Sequence, residues 1–361
     1  MRRTYLDNIR WGTVLLVLFY HVLYVFNASG VPGSIGSFTD VQYQDAPMYF
    51  VYPWFMVLLF AVAGISSRYA LEKLSHKAFV SARTRKLLVP STLGLFVLQW
   101  LVGYFNMAAA GAFEQMGDVP GPIQYMIMVL SGIGPLWFIQ MLWLFSLLLV
   151  VLRKLDKNDK LYDLCGRAFG GKWGIVFFLL LALPVWGAAQ IGNVPVITVY
   201  RFGIYGIAYL LGYFVLSHDK VQETLERFAL PLGISAVMVG IGYVVCYFGQ
   251  NFTDASILQN FFTNLYLWVA VLAILGCGKK WLSGTSKFSA YMTKASFGLY
   301  ITHYLPLIAS AYFLKTRTAL PVPAAYLIVA VCTFGGSILL YEVIRRIPVL
   351  RYCVLGIRNA K

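Results

Sequence analysis

Acidic residues are scarce in this chain: 14 Asp and Glu stand among 361 residues, against 29 Lys and Arg. Charged residues of both signs reach only 12%, about half of what a water-soluble domain carries. No long polar stretch separates the hydrophobic runs, so nothing marks a linker, and a single domain over 1–361 is expected. CxxC spacing is absent as well. Cys165, Cys246, Cys277, Cys332 and Cys353 are scattered and odd in number, which points to neither a disulfide framework nor a metal site. Internal repeats are also lacking, since the two halves differ in loop length and in polar positions. Inverted repeats around a midplane site mark many secondary transporters, and their absence weakens that class.

Apolar side chains are what the sequence has in excess. They make up 60% of it, and the mean hydropathy is +0.72. A soluble fold of this size could not bury them, so the fold class is all-α, a polytopic membrane helix bundle. A crossing needs about 20 mainly apolar residues. Ten stretches qualify: 9–27, 47–67, 87–106, 134–152, 173–191, 199–217, 228–249, 257–277, 295–314 and 323–344. Ile123 to Leu130 is too short to span and reads as interfacial or re-entrant. Arg2 and Arg3 before an apolar run resemble an export signal, but Arg10 and His21 lie inside that run. It is therefore read as a retained first helix.

Ten crossings put both termini on one side, and the basic residues say which. Of the 29 Lys and Arg, all but Arg201, Lys315 and Arg317 fall in the termini or in the loops on that same side. Excess Lys and Arg mark the cytoplasmic face, so both ends are expected there. This topology also accounts for the net charge of +15 with no nucleic-acid partner. Outer segments carry Asp40, Asp45, Glu114, Asp118 and Asp254.

Ionisable side chains within spans are costly and point to function by default. Few exist here: His21, His303, Arg201 and Glu342. Glu342 can pair with Arg345 or Arg346 at helical spacing. His76 and His218 fall in loops and read as solvated. Arg10 and His21 lie on nearly one face of the first helix, about 16 Å apart along it, with Asp7 close to that face. The plain alternative is a snorkelling arginine beneath a packed histidine. An imidazole takes and returns a proton near neutral pH, and a guanidinium suits phosphate or a carbonyl gaining charge. A base deep in the membrane above cationic groups suits chemistry between partners from opposite faces. Arg83-Thr84-Arg85-Lys86, just before the third span, would add to an anion site, although positive-inside topology alone also accounts for it.

Tyr5-Leu6-Asp7-Asn8-Ile9-Arg10, with His21 ten residues further on, resembles the first-helix signature of the acyltransferase-3 family. In the same order along the chain come Pro53-Trp54-Phe55 through Ala63-Gly64-Ile65, and Arg83 to Lys86 before Pro90, with Lys86 where arginine is expected. Gly134-Pro135-Leu136-Trp137-Phe138-Ile139 and Ser296 through Tyr300 to His303 follow. Leu340-Tyr341-Glu342 with Arg345-Arg346 resembles the glucan-succinylating branch. The resemblance implies a bacterial inner-membrane enzyme that moves an acyl group from cytoplasmic acyl-CoA, most simply acetyl-CoA, to a hydroxyl. An envelope glycan is the expected acceptor. His21 then takes the catalytic position and Arg10 its partner's, while Arg83, Arg85 and Lys86 hold the phosphates of CoA. Arg10, Tyr300 and Trp137 are candidates for stabilising the oxyanion, and His303 either lines the cavity or is packed. No metal is implied, and the family's additional soluble domain is expected to be absent. Specificity is expected in segments 31–46 and 107–133, where Asp40, Asp45 and Glu114 either bind sugar hydroxyls or are ordinary solvated acids. The sequons at Asn27 and Asn251 carry little weight, because the resemblance is to bacterial enzymes. The rival reading is a proton-coupled transporter or exporter of a glycan or lipid-linked substrate, built on the same His21 and Arg10.

Overall fold

The computed structural model describes residues 3–31, 33–156, 158–194 and 199–358. Arg2, Lys157 and Lys361 of the basic set, and Pro32 of segment 31–46, lie outside them. Among the described residues there are helices and no strand, apart from an isolated bridge between Asn193 and Arg201. The principal helices are α1 (Thr4–Tyr24), α2 (Tyr43–Leu71), α3 (His76–Ala109), α4 (Gly121–Ser131), α5 (Gly134–Leu155), α6 (Lys160–Phe169), α7 (Gly174–Ala189) and α8 (Phe202–Leu216). They continue as α9 (Asp219–Arg227), α10 (Ala229–Tyr247), α11 (Phe261–Trp281), α12 (Lys287–Thr302), α13 (Tyr304–Arg317), α14 (Val322–Ile344) and α15 (Pro348–Leu355).

The apolar stretches of the sequence are largely helical, but among the described residues fewer than ten helices are long and apolar enough to cross a membrane. Six meet that test (α2, α3, α5, α10, α11 and α14), or up to eight if each bent pair is one span. The bent pairs are α6–α7, at 110°, and α12–α13, at 47°. The first helix falls outside this set because it takes in the polar turn with Asp7 and Arg10, and α8 is short. The Ile123 to Leu130 stretch becomes α4, too short to span.

The chain forms two compact units. The first comprises residues 1–13, 46–81 and 141–293. Its helices α2 and α8 meet through small residues: a Cβ at Gly64 would overlap the Tyr209 carbonyl, and one at Gly212 the Ala61 carbonyl. Small residues allow this approach, which apolar helices in lipid use for packing. Phe60 stacks on Tyr205 at 4.8 Å, and buried Trp268 donates its indole N–H to Phe178 O at 2.7 Å. Two arginines at helix ends of this unit share one acid. Arg68, at the end of α2, and Arg153, at the end of α5, both bind Asp159, and Arg68 lies 3.6 Å from the Tyr162 ring centroid. His218 is not simply solvated as its loop position implied. It stacks on Tyr162 at 3.8 Å, and burial pulls its pKa below the usual imidazole value.

The second unit comprises residues 14–45, 82–140 and 294–361. Its apolar centre joins Val22, Val25 and Phe26 after the middle of α1 to Val102, Tyr304, Leu307 and Val329. Helix α1 stops at Tyr24, earlier than the hydrophobic run does, because Asn27 folds back and donates its side-chain amide to Tyr24 O at 2.6 Å. The break between α12 and α13 has a cause in the chain. Pro306 offers no N–H to the carbonyl of Thr302 and its ring crowds that carbonyl, so the helix breaks at His303 and resumes at Tyr304. In α3, Thr84–Leu88 is a wide π-helical turn, with the Val89 N–H reaching back five residues to Thr84 O. Pro90 follows at once and cannot donate to Lys86 O, which favours that widening.

Helices α3 and α4 approach through Gly103 and Gly132, where a Cβ would overlap Met128 O and Gln99 O respectively. Gly103→Leu is therefore expected to cost about 1–3 kcal/mol by overpacking, read as a lower thermal midpoint in detergent. Gly335→Ala in α14, where nothing lies within 4 Å, should be neutral or stabilising by up to about 1 kcal/mol. Equal effects of the two substitutions would contradict the close approach.

Candidate functional site

His21 sits in the last turn of α1, and His303 at the break between α12 and α13. His21 is half-buried and His303 fully buried. Their rings meet: His303 Nε2 lies 3.2 Å from His21 Nδ1, with ring centroids 5.1 Å apart. His21 Nδ1 also lies 2.9 Å from Val17 O, and His303 Nδ1 lies 2.8 Å from Tyr300 O. Tyr20, Tyr24 and Tyr304 pack edge-on around the His21 ring, at 5.2, 5.9 and 5.3 Å between centroids. His303, which the sequence left as either lining a cavity or packed, is fully buried and in contact with His21.

Tyr300 and Trp137 stand in the same unit. The Tyr300 hydroxyl donates to the Pro135 carbonyl, and its ring lies 5.6 Å edge-on to Phe138. The Gly134–Ile139 segment is thereby tied to the segment that carries His303. Trp137 begins the regular part of α5 and is buried. Because a carbonyl can only accept, the Tyr300 proton is directed at Pro135, and the hydroxyl keeps only its lone pairs for other partners.

The basic run lies on the wide turn of α3. Arg83 and Arg85 are half-buried and Lys86 is exposed, its ammonium 4.6 Å from the Phe297 ring centroid. Phe297 is on α12, and His303 stands six residues on, at the break that ends this helix. That is about 9 Å of helical rise. The C-terminal turn reaches the same run: Gly356, at φ 64°, lies where a Cβ would overlap Arg85 O. No residue pattern signals that contact.

Arg10 pairs with Asp7 at 2.7 Å, one turn apart on α1. These two residues belong to the first unit and His21 to the second, with α1 running from one to the other. Among the outer acids, Asp40 and Glu114 are exposed, but Asp45 is buried and accepts from Ala28 N at 2.8 Å and Gln42 Nε2 at 3.3 Å. Asp45 thus closes the 25–45 loop instead of being a solvated acid. Both sequon asparagines are occupied locally, Asn27 by Ser29 and Asn251 by Thr253. Glu342 binds Arg345 and Arg346, as its spacing implied.

Sequence reasoning found the two histidines separately and missed their contact, along with the tyrosines around it. The available signal was Pro306, three residues past the second of two histidines in apolar helices. Tyr300→Phe should orphan the Pro135 carbonyl and cost about 1–3 kcal/mol of stability, measured by thermal unfolding in detergent. A stability equal to wild type would show that water replaces the bond.

The family model described as an acyltransferase domain matches residues 3–342, nearly the whole chain. No curated protein and no solved structure matches it. With a match over nearly its whole length, the chain belongs to the acyltransferase-3 family.

Proposed function

We propose that this protein is a membrane O-acyltransferase that moves a short acyl group, acetyl in the simplest case, from acyl-CoA to a hydroxyl. The acceptor is an envelope glycan or another hydroxyl compound outside the cytoplasm, and the protein resides in a bacterial inner membrane. The observation that carries this reading is the pair of imidazoles in the apolar interior, with Lys86 of the basic run resting on Phe297, six residues before one of them.

Each end of the donor has a matching group. Phosphates of CoA are bound by Arg83, Arg85 and Lys86, whose charged donors make the stronger class of hydrogen bond. The acceptor hydroxyl meets the thioester carbonyl beside His21. As the C–O bond forms, His21 Nε2 takes the hydroxyl proton and the carbonyl becomes an oxyanion. The C–S bond then breaks, and the proton returns to the departing CoA thiolate. Oxyanion stabilisation falls to Trp137 before Tyr300, whose proton points at Pro135.

Purified protein incubated with labelled acetyl-CoA and candidate acceptors tests the reading. His21→Ala should lower turnover by roughly 10²–10⁴-fold, the usual contribution of a general base, and leave CoA binding intact. Arg85→Ala should weaken donor binding about 10-fold, as loss of one hydrogen bond to a charged group does. Absence of both CoA binding and acyl turnover in the wild type, across several chain lengths, would refute it.

A further inference from the structure

We infer that His303 is a positioning residue: it holds His21 in the tautomer whose Nε2 lone pair is available as the base. This rests on the acyl-transfer reading above. The assignment follows from which atoms can donate. Tyr300 O, a carbonyl, can only accept, so His303 Nδ1, at 2.8 Å from it, carries a hydrogen. A neutral imidazole has one N–H, so His303 Nε2 presents a lone pair. Val17 O can only accept as well, and it lies 2.9 Å from His21 Nδ1, which must therefore be the protonated nitrogen of that ring. The His21 Nδ1–H then faces two acceptors, Val17 O and His303 Nε2 at 3.2 Å. His21 Nε2 is left as the basic atom.

The opposite arrangement fails on the same contacts. A hydrogen on His303 Nε2 aimed at a lone pair on His21 Nδ1 would set that lone pair against the Val17 carbonyl oxygen. Two backbone carbonyls, each on its own helix, thus fix both rings. During the reaction His21 Nε2 gains the acceptor's hydroxyl proton, and the imidazolium so formed shares its Nδ1–H with His303 Nε2. Nothing is oxidised or reduced, and the proton leaves from Nε2 to the CoA thiolate. His303 therefore occupies the place that a carboxylate fills in serine-hydrolase triads, as a neutral acceptor in an apolar setting.

Two measurements test this. In nitrogen-15 NMR of the histidine-labelled full-length protein in detergent, His21 should show a protonated Nδ1 and an unprotonated Nε2. Substitution of each of the four histidines in turn assigns the signals. A proton on His21 Nε2 would overturn the inference, whether or not turnover is found. In acyl transfer, His303→Leu should lower kcat by about 10- to 100-fold, less than the roughly 10⁴-fold that follows loss of the carboxylate-held tautomer. The donor KM should stay within about twofold of wild type. His303→Gln, whose amide oxygen can accept from His21 Nδ1–H, should recover most of the loss. Equal kcat in wild type and His303→Leu, or no recovery with glutamine, would also overturn it. Absence of turnover in wild type would instead remove the acyl-transfer reading and leave the tautomer to be decided by NMR.

Discussion

A polar ring surrounded by apolar side chains must find its hydrogen-bond partners within the protein, because an unpaired buried donor or acceptor costs roughly 1–3 kcal/mol. The contact between His21 and His303 meets that requirement with very little: two imidazoles and two backbone carbonyls, Val17 O and Tyr300 O. The second unit is arranged so that this can happen. Helix α1 has to end just after His21, which Asn27 secures by folding back on Tyr24 O. The α12–α13 run has to bend at His303, which Pro306 secures. Tyr304 and Leu307 then seat the far side of the break in the apolar centre with Val22 and Val25.

Helical character was readable throughout, because long apolar runs leave the backbone no partner but itself in lipid. Which runs cross was less readable. Stretch 295–314 looked continuous by hydropathy, yet the bend comes from one proline acting four residues upstream, which an average over apolar residues does not register. Stretch 9–27 was displaced for a similar reason: the polar turn around Asp7 and Arg10 joined the helix, and Asn27 ended it early. Stretch 173–191 likewise became part of a pair bent by 110°.

The candidate site was legible by residue type and not by contact. His21, Arg10 and the Arg83 to Lys86 run stand out because ionisable groups are rare in apolar helices. Partners far apart in sequence leave no such mark. Asp45 looks like any loop acid until Ala28 N and Gln42 Nε2 are found on it, and its burial shows that the 25–45 loop is tied from within. Tyr300 stands out in the sequence as an oxyanion candidate. The direction of its O–H toward Pro135 favours a tie between segments, and depends on a residue 165 positions away.

The basic run shows how backbone geometry distributes charge for the proposed donor. Its π-helical turn and the Gly356 backbone set where Arg85 and Lys86 stand, and Lys86 rests on Phe297. Phosphates brought to Lys86 remain about 9 Å of helical rise short of His303. That separation is chemically useful. Burying phosphate charge in the apolar interior would be far costlier than burying an uncharged thioester and the chain that carries it. The donor can therefore keep its charged end at the basic turn and send only its neutral, reactive end along α12. The imidazole pair acts on that end without a cation among the rings that surround it. A site built the other way, with arginines beside the histidines, would have to draw the phosphates in after them.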